Sequence, residues 1–335
     1  MNKTMKILIA YDGSPCAEAA LDDLQKAGLP LEDAEALVIS VAEVFLPPPP
    51  PSSDETGEAA QAEQQPSPFD FEKVYARNAG VVEEARSMAL RAQERLQKNF
   101  PGWQVSVEAC ADSPAWGVLK KADNWKPDLI VVGSQGRSAL GRLVMGSVSQ
   151  KILTEARCSV RIARGRVEVD ESPVRIMLGV DGSPGAELAL RVAATRAWPA
   201  GSEARVVVVD DPLLPTTLSD VAPSLNKWIE EGNEGEREWV QKLADAAAKK
   251  LHRAELTVSS VIKEGDPKRV LVAEAEEWRA DCIFVGSIGF SNRFERFLLG
   301  SVSAAVAARA HCSVEVVRDK SGRVESLPLR DENNH

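Results

Sequence analysis

The sequence predicts an α/β protein made of two doubly wound domains that follow one another in the chain. Its length of 335 residues suits two domains, each large enough to bury a core of its own. Several segments of the first half recur in the second, and each half alternates short β-branched runs with longer helical patterns. Such alternation is typical of βαβ units, so we expect a five-stranded, mainly parallel sheet flanked by helices in each domain.

The internal repeat indicates that one structural unit occurs twice. Each half opens with the same succession of a strand, an Asp-Gly-Ser-Pro turn and an alanine-rich helix. A glycine-serine segment near the end of each half also returns, with equal spacing to a following cysteine. The matching segments are 7–15 and 176–184, 128–134 and 281–287, and 146–149 and 300–303.

We place the strands on the β-branched and aliphatic runs of each half. In the first half these runs cover residues 5–11, 36–42, 104–109, 128–132 and 159–163. In the second half they cover residues 174–180, 204–209, 256–262, 281–285 and 313–317. The ligand crevice of a doubly wound sheet lies beyond the carboxyl ends of its strands, so site residues are expected there.

Polar stretches without helical periodicity mark the domain limits. They separate a first domain of residues 1–166 from a second of residues 172–318, and residues 319–335 are expected to form a flexible tail. Residues 47–68 begin with five prolines and contain no aliphatic residue larger than alanine. This composition predicts a mobile insertion in the first domain, with a proline-rich ligand for a partner domain as the alternative.

Composition excludes several function classes. The formal net charge of -10 opposes attraction to nucleic acid or anionic lipid, so neither is an expected partner. No apolar run approaches the roughly 18 residues that cross a bilayer, and the apolar stretch near the start is too short for a signal peptide. The five cysteines form no CxxC pair. These features predict a cytoplasmic protein with reduced thiols and no zinc site.

The most specific motif is Gly133-x2-Gly136-x9-Gly146-Ser147, which starts at the end of a strand and finishes at the start of a helix. Glycine permits positive φ and close backbone approach, and the N–H groups at a helix N-terminus attract phosphate oxygens. The spacing differs from GxGxxG and from the P-loop, whose lysine is absent. The motif therefore indicates a phosphate site of neither the Walker nor the Rossmann type.

Together with the Asp-Gly-Ser turn and the valine-rich second strand, this motif resembles the universal stress protein family, and the likeness covers nearly the whole chain twice. The resemblance implies an adenine nucleotide alpha hydrolase-like fold that binds ATP. It implies that Asp12 and Val41 lie around the adenine and ribose, and that Gly133 contacts the ribose. The residues that it assigns to the phosphates are Gly136, Gly146, Ser147 and Val148.

The second half carries the same pattern with one irregularity. Asp181 and Val209 occupy the first two positions, but ten residues instead of nine separate the second glycine from the third. The extra residue either displaces the backbone donors or is absorbed as a bulge, so the prediction of binding is weaker here. The remaining residues of the second pattern are Gly286, Gly289, Gly300, Ser301 and Val302.

Some residues of the pattern also have structural interpretations. Arg137 and Arg142 lie between the glycines and are candidates to neutralise phosphate charge, with simple solvent exposure as the alternative. For Asp12 and Asp181 the alternative is a role in the turn alone. The residues that we interpret first as helix N-caps, each followed by proline, are Ser14, Ser113, Ser183 and Asp266.

The leading hypothesis is an ATP-binding protein of stress response or signalling that acts through nucleotide-dependent conformation or partner binding. Mg²⁺ or Mn²⁺ would arrive bound to the phosphates. No catalytic residue is assigned, and ATP hydrolysis or autophosphorylation, with Ser147 or Ser149 as first acceptor, is expected to be slow. The alternatives are an interaction module without nucleotide and an enzyme on a similar sheet, such as an ATP-dependent ligase or an electron-transfer flavoprotein relative.

An adenine nucleotide and an unidentified protein are the expected partners. The resemblance implies pairing of domains through their last strands. Within one chain, residues 160–163 and 314–317 are expected to meet, because an exposed apolar edge strand needs covering. This predicts an internal pseudo-dimer, with a homodimer of two chains as a further level of assembly.

Overall fold

The computed structural model describes residues 4–44, 71–135, 145–164, 173–210, 241–251, 256–287 and 299–319. The expected insertion at 47–68, the connection between the domains, and all but the first residue of the expected tail lie outside these ranges. Within the described ranges, no helix is both long enough and apolar enough to cross a membrane.

All ten predicted strands are present, and each lies within four residues of its expected bounds. The first half contains β1 Met5–Ala10, α1 Pro15–Asp23, a 3₁₀ turn Leu24–Lys26, β2 Glu32–Ala42, α2 Phe71–Asn99, β3 Gly102–Ala111, α3 Pro114–Trp125, β4 Leu129–Gly133, α4 Ser147–Glu155 and β5 Ser159–Ala163. The second half contains β6 Arg175–Gly179, α5 Pro184–Ala194, β7 Glu203–Asp210, helical residues 241–251 (α6), β8 Thr257–Glu264, α7 Pro267–Glu277, β9 Cys282–Gly286, α8 Ser301–Arg309 and β10 Ser313–Val317.

The strands form one ten-stranded sheet in the order β3-β2-β1-β4-β5-β10-β9-β6-β7-β8. All pairings within each half are parallel, which confirms the predicted fold class of two doubly wound five-stranded units. The two halves join where β5 and β10 pair antiparallel, so the last strands meet as expected. At this junction Val160 lies opposite Val316, and Ile162 lies opposite Val314.

Side chains of successive strand residues alternate between the two faces of the sheet. In β1, Leu8 packs toward one face and Ile7 and Ile9 toward the other. The face covered by α3, α4, α7 and α8 holds a single hydrophobic core that runs through both halves. On the opposite face, the half covered by α1 and α2 and the half covered by α5 and α6 each have a core of their own.

Two arginines cross the junction in the same way from opposite sides. Arg164 donates hydrogen bonds from Nη1 to the carbonyl oxygen of Ala310 (3.0 Å) and from Nη2 to that of Ala308 (3.2 Å). Arg318 likewise donates to the carbonyl oxygen of Leu153. Each arginine thus binds the C-terminal end of the last helix of the other half, where a cation is favourable. The two halves are therefore related by a pseudo-two-fold axis at the junction.

Three of the four predicted caps are confirmed. The hydroxyl groups of Ser14 and Ser183 and the carboxylate of Asp266 accept bonds from backbone amides of the helices that follow them. Ser113 stands at the N-cap position of α3, but its side chain makes no capping bond. Its own backbone amide is instead bound by the neighbouring carboxylate of Asp112, at 2.7 Å.

Candidate functional site

The carboxyl ends of β1, β2 and β4 lie along one edge of the first half, because the three strands are parallel and adjacent. Asp12 follows β1, and its carboxylate accepts a hydrogen bond from the backbone amide of Ser14 at 3.0 Å. Gly13, between them, has a φ of 72°, a conformation that glycine adopts without strain. The turn role foreseen for Asp12 is therefore present, and it fixes the carboxylate at the strand end.

Gly133 lies in direct contact with the first turn of α1. A Cβ atom at this position would stand 2.7 Å from the carbonyl carbon of Cys16, so only glycine fits without displacement of the backbone. The carbonyl oxygen of Gly133 also accepts a hydrogen bond from the hydroxyl group of Ser149, at 2.7 Å. The end of β4 is thus held by α1 on one side and by α4 on the other.

The N-terminus of α4 is fixed close to this strand end, because the amide of Gly146 donates to the carbonyl oxygen of Ser134 at 2.8 Å. Gly146 is the N-cap residue, and its φ of -67° is ordinary. The role of glycine here is therefore the absence of a capping side chain, since its backbone does not adopt a positive φ. The amides of the first turn, which includes Ser147 and Val148, therefore receive no bond from the N-cap side chain.

The two serines of this helix differ in availability. Ser147 is exposed, whereas Ser149 is buried and its hydroxyl group is bound to Gly133. The hypothesis that Ser149 accepts a phosphoryl group therefore conflicts with its position, and Ser147 is the accessible candidate.

Val41 forms the wall between the end of β2 and helix α3. Its γ carbons would stand 2.8 and 2.9 Å from a Cβ atom on Gly117, so helix and strand touch at this point. Beside it on β3 lies Cys110, a partly buried thiol whose pKa is raised by burial, with smaller contributions from Glu108 and Asp112. Cys110 is therefore a neutral thiol at physiological pH and an unreactive part of the wall.

Tyr11 connects this edge to the opposite face of the sheet. Its amide donates to the carbonyl oxygen of Ile39 at 3.0 Å, and its hydroxyl group donates to the carboxylate of Glu18. Burial, followed by the bond to Glu18, raises the pKa of Tyr11 far above its usual range. The phenol therefore stays protonated and locks the residue that precedes Asp12.

Three predicted site residues, Gly136, Arg137 and Gly289, lie outside the described ranges, as does Arg142. A cavity of about 410 Å³ lies elsewhere, between the two halves. It is lined by Met5, Gly28 and Arg318 among others and stands at the amino end of β1, away from the candidate site.

The second half builds the same scaffold. The carboxylate of Asp181 accepts a hydrogen bond from the amide of Ser183 at 2.9 Å, and Gly286 approaches the first turn of α5 even more closely than Gly133 approaches α1. The Ser303 hydroxyl group donates to the carbonyl oxygen of Gly286. The amide of Gly300 donates to the carbonyl oxygen of Ser287 at 2.7 Å, so Ser301 and Val302 begin α8 as Ser147 and Val148 begin α4.

The strand ends of the second half nevertheless differ in charge. Val209 corresponds to Val41, because the amide of Val180 donates to the carbonyl oxygen of Val207 as that of Tyr11 does to Ile39. The next pair across β7 and β8 is Asp210 and Glu264, where β2 and β3 carry Ala42 and Ala111.

Helix α7 also differs from α3 in sequence at the position where Gly117 of α3 contacts Val41. Counted from the proline that begins each helix, Val270 stands where α3 has Gly117. The described edge of the second half therefore carries Asp210 and Glu264 in place of two alanines, and a bulkier helix side chain. It also has Lys263 where the first half has Cys110, and Gly265 where the first half has Asp112.

Comparison with known proteins agrees with this architecture. A family model described as Universal stress protein family matches residues 3–164 and again residues 174–318. The chain belongs to the universal stress protein family. A universal stress protein of Mycolicibacterium smegmatis is 32% identical over 256 residues, which span 72% of this chain and 81% of that protein. Another, from Mycobacterium tuberculosis, is 26% identical over 329 residues, 95% of this chain and 98% of that protein.

Among solved structures, a universal stress protein from Archaeoglobus fulgidus has a TM-score of 0.58 at 20% sequence identity. The match covers 94% of this chain and 99% of that chain, and it supports the tandem arrangement of two stress-protein folds.

Sequence reasoning missed two residues that shape the site. Gly117 fits against Val41, and the signal for it was a glycine inside a helix, where glycine is otherwise unfavourable. The anchoring role of Ser149 was also missed. Its recurrence as Ser303, three residues after Gly146 and Gly300, could have revealed a shared structural bond.

Proposed function

We propose that this universal stress protein binds ATP at the carboxyl edge of its first domain and uses nucleotide occupancy as a signal. The observation that carries the proposal is the contact between Gly133 and the first turn of α1. This contact brings the Asp12 turn and the end of β4 side by side. A ribose bound over both strand ends would be within reach of the Asp12 carboxylate, which can accept hydrogen bonds from its hydroxyl groups.

The start of α4 supplies the complement to phosphate. Gly146 has no side chain to occupy the amides of the first turn, and the helix is nine residues long. The N-terminus of such a helix carries roughly half a positive charge, and its free amides point at an incoming anion. Val41 adds an apolar surface against which adenine can pack.

A divalent ion would be held through the nucleotide. The described part of the chain places no group of three His, Cys, Asp or Glu side chains where they could share a metal. Mg²⁺ or Mn²⁺ would therefore coordinate the phosphates and reduce their charge. The proposed role is recognition of ATP, and autophosphorylation or hydrolysis, if present, is slow and involves Ser147 in preference to Ser149.

For the second domain we propose a nucleotide-independent role as an interaction module. Asp210, Lys263 and Glu264 stand beside Val209, so the surface that would pack against adenine is charged where the first domain has alanine and cysteine. Val270 stands where α3 has Gly117, so the close contact between Gly117 and Val41 cannot form in the same way in the second domain. We therefore expect one ATP per chain.

Isothermal titration with Mg-ATP tests this proposal. The wild-type chain should bind one equivalent, and Asp12→Ala or Gly136→Val should weaken binding at least about tenfold, a loss of about 1.4 kcal/mol. Asp181→Ala is the matched control, because Asp181 makes the same turn contact in the second domain, at 2.9 Å against 3.0 Å. Unchanged heats in the Asp12 and Gly136 variants would refute the proposal, and two equivalents per chain would refute the assignment of the second domain.

A further inference from the structure

The junction of the two halves places two sequence-equivalent residues face to face. Arg161 is the third residue of β5, and Glu315 is the third residue of β10. They stand directly opposite each other in the antiparallel register. The residues on either side pair symmetrically, Val160 with Val316 and Ile162 with Val314. The pseudo-two-fold axis therefore passes between Arg161 and Glu315.

Both side chains are completely buried, with 0% of their surface exposed. Arg161 Nη1 lies 3.3 Å from Glu315 Oε2. The guanidinium of Arg161 also binds the carboxylate of Asp23 through Nε (2.6 Å) and Nη2 (3.0 Å). On the other side of the axis, Arg196 donates to the second carboxylate oxygen of Glu315. The junction thus contains a row of alternating charge: Asp23, Arg161, Glu315 and Arg196, here called the axial quartet.

The two outer residues of the axial quartet have no charged equivalent at the matching position of the other half. In the aligned helices, Asp23 corresponds to Val192, and Arg196 corresponds to Ala27. Each half therefore carries its own neutral pair of charges, Asp23 with Arg161 in the first and Arg196 with Glu315 in the second. Counted outward from the axis, the first half carries a positive and then a negative side chain, and the second half carries a negative and then a positive one. Positive and negative charges therefore alternate along the whole row when unlike halves meet.

Pairing of like halves would produce a different contact. In a true two-fold interface a residue on the axis faces its own copy. Two first domains would bring Arg161 against Arg161, and two second domains would bring Glu315 against Glu315. Buried charges of like sign repel strongly, whereas the alternating row of the unlike pair is attractive throughout.

Further hydrogen bonds cross the junction of the unlike pair. The hydroxyl group of Ser313 donates to Asp23 at 2.7 Å, and Nη1 of Arg196 donates to the carbonyl oxygen of Ala27 at 3.2 Å. The amide of Ala197 donates to the carbonyl oxygen of Gly28 at 2.9 Å. These bonds hold the outer quartet members in place.

We propose that the axial quartet determines which domains pair through their last strands: β5 accepts a domain with an acid on the axis, and β10 accepts one with a base. The partner of a first domain is then a second domain, from the same chain or from another copy. Any homodimer formed through these strands must exchange unlike halves between chains, and pairs of like halves are excluded.

The test uses the full chain, folded and then cut at a protease recognition sequence placed within residues 165–172. Native mass spectrometry counts the pairs of halves after exchange has reached equilibrium. The cut wild-type chain should yield only unlike pairs. Asp23→Asn/Arg161→Gln removes the neutral charge pair of the first domain and should make pairs of first domains appear, which the wild-type chain does not form, without pairs of second domains.

The mirror variant, Arg196→Gln/Glu315→Gln, should raise pairs of second domains alone. Val316→Ala is the control, because it removes buried apolar contact beside the axis without changing charge. It should weaken pairing and leave the selectivity unchanged. Circular dichroism of the uncut chains verifies folding.

Either variant pairing as selectively as wild type would overturn the proposal. Like pairs formed by the cut wild-type chain, or halves that separate without pairing, would overturn it without any variant being needed.

Discussion

The hydroxyl group of Ser149 donates a hydrogen bond to the carbonyl oxygen of Gly133, 2.7 Å away, and both groups are buried. The bond fixes the start of α4 relative to the end of β4. In Ser149→Ala this carbonyl group loses its partner in the interior, so we expect the free energy of unfolding to fall by about 1–3 kcal/mol in urea titration. Ser147→Ala, on the exposed side of the same turn, should change it by less than about 0.5 kcal/mol. Equal effects of the two substitutions would contradict the anchoring role.

The closeness of Gly133 to α1 makes a second prediction. Gly133→Ala places a Cβ atom 2.7 Å from backbone atoms of Cys16, so strand and helix must separate. We expect a loss of about 1–3 kcal/mol in unfolding free energy. Gly80→Ala is the control, since nothing lies within 4 Å of a Cβ atom there and the residue is in a helix. It should stabilise by up to about 1 kcal/mol. A loss of stability in both variants would contradict the assignment of the effect to the close contact at Gly133.

Glu274 should make the second domain sensitive to acid. Burial by itself raises the pKa of Glu274, but hydrogen bonds from Arg205 (2.8 Å) and Lys263 (3.0 Å) outweigh burial and hold the pKa below its ordinary value of 4.5. A carboxyl group with a lowered pKa stabilises the fold above its unfolded pKa. That contribution is lost as the pH falls through the folded pKa.

Glu274→Gln should therefore lower the unfolding free energy at neutral pH by about 1–3 kcal/mol. The difference from wild type should narrow as the pH falls below 4.5 and through the lowered pKa of the folded state, where the wild-type carboxyl group becomes protonated. Glu276→Gln, an exposed position on the same helix, serves as control. A difference that is constant with pH would show that the carboxylate charge is not responsible.

Thiol reactivity should follow burial. Burial raises the pKa of Cys282 to about 12 and raises that of Cys312 as well. Iodoacetamide attacks the thiolate, so both should stay unmodified in the folded protein at a pH of about 8, while the partly exposed Cys16 reacts. Peptide mass spectrometry measures the rates, with urea-unfolded protein as the control. Labelling of Cys282 as fast as Cys16 in the folded state would contradict the described packing.

The strands were predictable because their buried residues are almost all β-branched or aliphatic. β2 is the exception, since it begins four residues before the expected position, at Glu32. The early part is polar and includes a bulge next to Asp33, whose φ is 58°. A pattern of apolar residues does not reveal such an extension, because the parallel neighbours β1 and β3 supply the hydrogen bonds.

The candidate site was partly predictable. Asp12, Gly133 and Gly146 were found because turns and glycines restrict the backbone locally. The axial quartet was not found, although a charged residue in the middle of each apolar last strand was a visible signal. Asp23 and Arg161 lie 138 positions apart in sequence, and no local pattern connects them.

The antiparallel pairing of β5 with β10 determines in which direction the candidate site of each domain faces. Since every other pairing is parallel, the strands of the two halves run in opposite directions, and their carboxyl ends open at opposite poles of the molecule. A small partner that contacts the candidate site at one pole has no access to the other. The core shared by α3, α4, α7 and α8 and the axial quartet both cross the junction between the poles, so each offers a short path by which a change at one pole could reach the other.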